Sequence, residues 1–121
     1  FGTATTFDVV VKKHYLGGII APGVNLSLQT LITNASLISN VNLSKIKSVI
    51  GKNTSSAVKS GFYWGYAGLI DSLINLITKD TKKKYNIILT GGLAHLFKSS
   101  IKVRSIVDKD LTIKGLIKLI N

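Results

Sequence analysis

The fold is decided by the opening stretch FGTATTFDVVVKKHYLGGIIAPG, residues 1–23. Residues 3–11 are β-branched and aromatic, which favours a β-strand, and residues 15–21 read as the returning strand. A polar connection, Lys12-Lys13-His14, separates them, so we expect an antiparallel hairpin. Pro22-Gly23 ends the second strand because both residues interrupt regular structure.

Two helices are predicted after the hairpin. Residues 24–37 carry apolar side chains at helical spacing, and residues 36–48 are polar and form a connection. The capping residues 53–56 predict the start of a long helix over residues 55–78. One face of that helix is formed by Leu69, Leu73, Leu76 and Ile77. Gly61, Gly65 and Gly68 also share a face. Each glycine costs about 1 kcal/mol relative to Ala, so a close neighbour or a second subunit is expected there.

The last third of the chain alternates strand and helix. Residues 79–84 are a charged linker, and residues 85–90 read as a buried strand. Gly91-Gly92 then turns the chain into a short helix that continues to residue 97. Residues 101–107 predict another strand and residues 111–120 a final helix. Together the elements indicate an α/β or α+β domain.

Composition excludes several classes of protein. The chain has 121 residues, 45% of them hydrophobic and 17% charged, so we expect a folded domain and not a disordered segment. It has no Cys, which excludes disulfides and thiolate metal sites and fits a reducing cytoplasm. The net charge is +11, but the lysines are scattered apart from Lys82-Lys83-Lys84, so they most simply solvate the surface. Attraction of anionic substrates and incidental nucleic-acid or membrane-surface binding are the alternatives, and we expect neither a nucleic-acid partner nor a membrane. The most apolar stretch, residues 62–77, is too short and too interrupted to span a bilayer.

Two glycine turns are candidate nucleotide contacts. Gly2-Thr3-Ala4-Thr5 could bind phosphate, because glycine lets a ligand approach the backbone N–H groups and threonine adds hydroxyl donors. Thr90-Gly91-Gly92 lies between a strand and a helix, where free N–H groups and a helix dipole meet a ligand. Each turn is also explained by simple chain geometry. Together they suggest an ATP site of the actin and sugar-kinase type.

Other candidate residues have simpler explanations beside the functional ones. Thr54 is most simply a helix N-cap, and Asp8 is either a solvated strand residue or a ligand for the nucleotide's metal ion. Asp71 could pair with a lysine or face a partner. The two histidines, His14 and His95, lack the spacing of a metal site. Tyr63, Trp64 and Tyr66 are expected to pack in a core or an interface.

Taken in order, these motifs make the chain resemble the C-terminal half of a type III pantothenate kinase. The matching stretches are residues 2–8, 17–23, 50–54, 60–65, 90–92 and 108–121. The resemblance implies an actin-like (ribonuclease H-like) kinase fold, of which residues 1–121 form the C-terminal nucleotide- and substrate-binding domain, with a β-hairpin and mixed sheet flanked by helices. The N-terminal domain is missing from the chain, and Phe1 is expected to be an internal residue.

The resemblance also implies a reaction and its participants. The enzyme phosphorylates pantothenate to 4′-phosphopantothenate in coenzyme A biosynthesis, uses ATP with Mg²⁺, is activated by K⁺ or NH₄⁺, and is a cytoplasmic homodimer. By motif, Gly2 and Thr3 contact the ATP phosphates, Gly91 and Gly92 flank the adenosine, and Thr54 contacts pantothenate in a site completed across the dimer.

The chain departs from the family pattern in three respects. It lacks the family's first phosphate motif and the segment that supplies its catalytic aspartate, so no catalytic residue is expected in these residues. The family's monovalent-cation aspartate would sit immediately before Phe1, which leaves Asp8 as a weak metal candidate. The alternative function is that of a non-catalytic accessory or regulatory protein with the same fold.

Overall fold

The computed structural model describes residues 1–38 and 40–121. It begins with the expected hairpin, in which β1 (Ala4–Val11) pairs antiparallel with β2 (His14–Pro22). The turn is formed by Lys12 and Lys13, both in the left-handed region at φ 47° and 69°. A register shift between Val9 and Val10 adds an irregularity to the ladder. The hairpin prediction is therefore confirmed, although His14, predicted in the connection, is the first residue of β2.

Two helices follow, of very different length. Helix α1 (Val24–Asn34) ends before the predicted residue 37, and no regular element is found in the described residues between it and α2. Residue 39, within the predicted connection, lies outside the described residues. Helix α2 (Thr54–Thr81) has 28 residues and continues into the segment predicted as a charged linker. It ends at Lys82, whose φ of 55° breaks the helical path.

The start of α2 corrects one sequence prediction. Asn53, not Thr54, is the N-cap: its side chain accepts a hydrogen bond from the Ser56 N–H at 2.8 Å, and the Ser56 hydroxyl accepts one from the Asn53 N–H at 3.1 Å. These reciprocal bonds form a capping box. Thr54 is therefore the first residue of the helix.

The buried face of α2 also differs from the predicted one. Its buried residues are Ser60, Tyr63, Ala67, Ile70 and Ile74. By contrast, Leu76 from the predicted apolar face is 55% exposed. The leucines of this helix share one side, whereas the core covers the side that carries Tyr63, Ile70 and Ile74, so leucine spacing pointed to the wrong face.

The C-terminal third forms a second small sheet. Strand β3 (Ile87–Leu89) pairs in parallel with β4 (Ser105–Val107), and α3 (Ala94–Lys98) connects them. Both strands are shorter than predicted, and Ile88 is 43% exposed, so the strand is less buried than expected. Helix α4 (Leu111–Ile120) has the predicted bounds, and its Lys114 ammonium lies 2.8 Å from the Asp108 carboxylate.

The hydrophobic core lies between α2, α3 and β3. Its largest fully buried side chains include Tyr63, Phe97 and Ile70. The Tyr63 ring stacks on Phe97 at 6.0 Å and meets Trp64 edge to face at 4.9 Å. This confirms that the aromatic cluster packs a core. The fold is a mixed α/β arrangement of two two-stranded sheets flanked by helices.

Candidate functional site

The first glycine turn lies at the entrance to β1. Gly2 donates its N–H to the Ala4 carbonyl at 3.0 Å, so this amide is already engaged within the turn. Thr5 is buried, and its hydroxyl donates to the Pro22 carbonyl at 3.1 Å. Thr3 lies between them and is exposed. Thr3 is therefore the residue of this turn whose hydroxyl is best placed to meet a ligand.

The second glycine turn follows β3. Gly91 has a φ of +96°, a conformation that residues with a Cβ rarely adopt, so glycine is required here by backbone shape. The helix beyond it, α3, has five residues and is too short to provide more than a small dipole. Backbone access, and not a helix dipole, is thus what this turn offers to a ligand.

The structure brings the two glycine turns together. The Phe1 backbone nitrogen donates to the Thr90 carbonyl at 2.9 Å. A Cβ added to Gly91 would collide with the Phe1 carbonyl group, so the two backbones are in direct contact. The Phe1 ring stacks on Phe97 at 5.6 Å, which fixes the first turn against α3. Residues 1–3 and 90–92 therefore form one continuous backbone surface.

The end of β2 closes the other side of this surface. Ala4 pairs with Pro22, and a Cβ on Gly23 would collide with the Thr3 carbonyl. Gly23 is also the N-cap residue of α1, with no side-chain capping bond. The glycine at position 23 is thus explained by the close approach of the first turn.

Asp8 lies farther along β1 and is exposed. Its carboxylate accepts a hydrogen bond from the Tyr15 hydroxyl at 3.0 Å. This bond, reinforced by the carboxylate charge, raises the pKa of Tyr15 above its ordinary value. No group of three or more His, Cys, Asp or Glu side chains that could hold a metal ion occurs in the described residues. Asp8 as a metal ligand remains a prediction.

Thr54 lies in a different place from the glycine turns. It lines a groove of about 770 Å³ between α1 and α2, with Gly61, Phe62 and Leu69. The Tyr66 hydroxyl bridges the two helices, bonding the Pro22 carbonyl at 3.2 Å and the Ser27 hydroxyl at 3.1 Å. We call the groove lined by Thr54, Gly61, Phe62 and Leu69 the α1–α2 groove. Within this chain nothing lies within 4 Å of a Cβ built on Gly61, Gly65 or Gly68, so the expected close neighbour is not an element of the described residues.

Sequence reasoning did not assign the role of Asp71. Its carboxylate accepts backbone N–H bonds from Lys102 at 2.8 and 3.0 Å and from Val103 at 3.1 Å. These bonds hold the connection from α3 to β4 against α2. A single carboxylate in an otherwise apolar helical stretch was the available signal, but its backbone partners are 31 and 32 residues away in sequence.

Comparison with known proteins identifies the family. The family model described as type III pantothenate kinase matches residues 1–76, which include the first glycine turn, the hairpin and most of α2. A type III pantothenate kinase of Pelagibacter ubique is 60% identical over 98% of this chain and 48% of its own length. One from Rhodospirillum rubrum is 47% identical over 97% of this chain and 46% of its own length. This chain thus spans about half the length of the curated relatives it matches.

A solved structure supports the arrangement of the elements. A conserved Baf family protein of Campylobacter jejuni superposes with a TM-score of 0.62 at 25% identity, covering 98% of this chain and 53% of that one. Among the described residues, the helices include none long and apolar enough to cross a membrane.

The match of the family model to more than half of the chain, together with these relatives, shows that the chain belongs to the type III pantothenate kinase family.

Proposed function

We propose that this chain supplies the nucleotide- and substrate-binding half of a pantothenate kinase, an ATP-dependent phosphotransferase that makes 4′-phosphopantothenate in coenzyme A biosynthesis. The observation that carries the proposal is the contact between the two glycine turns, since Phe1 packs directly against Thr90 and Gly91. A nucleotide that lies across both turns would meet the exposed residues Gly2, Gly91 and Gly92. Membership of the family supplies the substrate, and an actin-like fold with an N-terminal domain is part of the same proposal.

In this proposal the two turns have different roles. Thr3 donates its hydroxyl to the ATP phosphates, and Gly2, which has no side chain, leaves the phosphates room to approach beside it. Gly91 and Gly92 lie along the adenosine, where a side chain would block close approach. Phosphoryl transfer depends mainly on positioning and on neutralising charge, so a rigid backbone surface is a useful contribution.

ATP would bring Mg²⁺ with it, and the family resemblance adds K⁺ or NH₄⁺. The described residues form no acidic cluster, and the Asp8 carboxylate already accepts a bond from Tyr15. Among the described residues, Asp8 therefore stays the weak candidate ligand for a cation. We assign no catalytic base to these residues.

We further propose that Thr54 contacts pantothenate in the α1–α2 groove and that the groove is completed by a second copy in a homodimer. The exposed glycines Gly61 and Gly65 line the groove and leave room for a second backbone. Dimerisation would thereby explain glycines that stabilise nothing within one chain. The reaction would take place in the cytoplasm, without nucleic acid or membrane as a partner.

The direct test is an assay of the full-length protein with ATP, Mg²⁺, K⁺ and pantothenate. We expect one 4′-phosphopantothenate for each ADP formed. Thr3→Val, which removes the hydroxyl but nearly preserves the shape, should weaken ATP use by about 1.5–3 kcal/mol, the typical value of a hydrogen bond to a charged group. A folded dimer that binds ATP but makes no product would contradict the proposal, and an unchanged KM and kcat in Thr3→Val would refute the role of Thr3.

A non-catalytic regulatory function is the second candidate. One observation favours it. The chain is structurally similar to the Campylobacter jejuni protein, which is named as a Baf family transcriptional activator. The net charge of +11 is compatible with an anionic partner. Salt-sensitive binding of duplex DNA by the full-length protein, in the absence of any phosphorylation of pantothenate, would favour this candidate over the kinase.

A further inference from the structure

One side chain connects the α1–α2 groove with the first glycine turn. Tyr66 of α2 is half-buried and lines the groove, as do Pro22 and Ser27. Its hydroxyl lies 3.2 Å from the Pro22 carbonyl and 3.1 Å from the Ser27 hydroxyl. A carbonyl only accepts hydrogen bonds, so Tyr66 donates its one proton to Pro22 and accepts the proton of Ser27. The contact is therefore directional, with a single arrangement of protons.

The Pro22 carbonyl is shared with the strand that follows the first glycine turn. It also accepts a hydrogen bond from the hydroxyl of Thr5, a buried residue of β1, at 3.1 Å. Pro22 pairs with Ala4 in the hairpin ladder. The next residue, Gly23, lies against the Thr3 carbonyl, with which an added Cβ would collide. Pro22 thus lies where the groove meets the backbone that presents Thr3.

Aromatic contacts hold the Tyr66 ring in place. It stacks on Phe62, which also lines the groove, with ring centroids 6.1 Å apart. It meets Phe97 at 6.4 Å, and Phe97 in turn stacks on Phe1. These distances fall within about 4.5–7 Å, the range of attractive aromatic pairs. The Tyr66 hydroxyl is therefore held at a defined place between the groove and the first glycine turn.

The bonds of this hydroxyl matter more for position than for stability. The bond from Tyr66 to Pro22 is exposed to solvent. Such a bond contributes little to the free energy of unfolding, because the unfolded chain forms equivalent bonds with water. It does fix the Pro22 carbonyl, and with it the position of the first glycine turn relative to the groove. Phosphoryl transfer depends on such placement, since a displacement of about 1 Å can cost roughly a hundredfold in rate.

We propose that Tyr66 is a positioning residue for phosphoryl transfer. Through Pro22, its hydroxyl fixes the first glycine turn relative to the α1–α2 groove, so that a phosphate on the turn and a hydroxyl substrate in the groove meet at reacting distance. In the transfer, the substrate oxygen bonds the γ-phosphorus of ATP, the bond from that phosphorus to ADP breaks, and the hydroxyl proton passes to solvent. Tyr66 exchanges no proton with either substrate. The inference rests on the proposed function.

The test replaces Tyr66 by Phe, which removes one oxygen atom and keeps the ring. In the full-length protein, assayed with ATP, Mg²⁺, K⁺ and pantothenate, we expect kcat to fall about tenfold while the KM of each substrate stays within about threefold. The matched control is Tyr85→Phe, which removes the same atom from a hydroxyl that bonds Thr81 at 2.9 Å and does not line the groove. It should leave kcat within about twofold of the original protein.

A double-mutant cycle tests the route through Pro22. Ser27→Ala removes one bond of Tyr66 but leaves the bond to Pro22, so kcat should fall by only about threefold. In the double variant, kcat should equal that of Tyr66→Phe alone, because residues that act through one network do not add their effects. Circular dichroism of each variant checks that the fold is equal.

Three results would overturn the proposal. An unchanged kcat in Tyr66→Phe would remove its positioning role. A higher KM for pantothenate at unchanged kcat would make Tyr66 a simple substrate ligand. An equal loss in Tyr85→Phe would show a general effect on the fold. If the original protein itself forms no 4′-phosphopantothenate, the proposed function fails and this assignment falls with it, so the two failures are distinguishable.

Discussion

Replacing Gly91 by Ala separates the two glycine turns with a single methyl group. Gly91 has a φ of +96°, and an added Cβ would collide with the Phe1 carbonyl. The obstacle is backbone and not the end of a flexible side chain, so it cannot rotate away. The first turn must therefore shift, or Gly91 must leave its present conformation.

The expected cost has two parts. A side chain at positive φ costs roughly 1–2 kcal/mol, and overpacking a tight contact costs about 1–3 kcal/mol. Together they predict a loss of about 2–5 kcal/mol of folding free energy if the contact is kept. If the turns move apart instead, stability falls less and nucleotide affinity falls more.

Thermal unfolding and equilibrium binding of an ATP analogue to the full-length protein measure both outcomes. The matched control for stability is Gly92→Ala, which adds the same methyl group where nothing lies within 4 Å and φ is not positive. We expect Gly92→Ala to unfold within about 1 kcal/mol of the original protein. Equal stability and equal nucleotide affinity in Gly91→Ala and the original protein would refute the contact between the turns.

Three further predictions concern other parts of the chain. Asp71→Ala leaves the N–H groups of residues 102–103 without their acceptor and should cost about 1.5–3 kcal/mol in chemical unfolding; a change below about 0.5 kcal/mol would contradict that role. Asp8→Asn removes the charge that keeps the Tyr15 proton in place, so the raised pKa of Tyr15 should fall toward about 10 in an absorbance titration; an unmoved pKa would exclude this hydrogen bond in solution. The bond to Asp8 is present while Tyr15 is protonated and is lost as pH rises through its folded-state pKa. A Cβ built on Gly65 has nothing within 4 Å among the described residues, so Gly65→Leu should leave the fold intact but shift the full-length protein toward monomers in sedimentation; a stable dimer would place the interface elsewhere.

Much of the fold follows from short-range patterns. The hairpin and the bounds of α4 were predictable because β-branched runs, turn residues and helical spacing act locally. The buried face of α2 was not predictable, since its leucines share the side that the core leaves uncovered and tertiary contacts with Phe97 decide which side is covered. The predicted strands at β3 and β4 are longer than the observed ones, because the length of a three-residue strand is fixed by its partner and not by its own sequence.

The candidate site divides in the same way. Sequence predicted both glycine turns, but their contact depends on Phe1 meeting Thr90, 89 residues away. The role of Thr54 as an N-cap was wrong because Asn53 beside it caps more effectively through the reciprocal bond with Ser56. Contacts between distant residues carry no local pattern, so a single sequence cannot reveal them.

The most direct test of the account follows the backbone amides of the full-length protein by nuclear magnetic resonance as a non-hydrolysable ATP analogue is added. If the two turns form one nucleotide surface, Gly2, Thr3, Gly91 and Gly92 should shift together along a single binding curve. Shifts confined to one turn, or centred on Thr54 and the α1–α2 groove, would contradict the central claim.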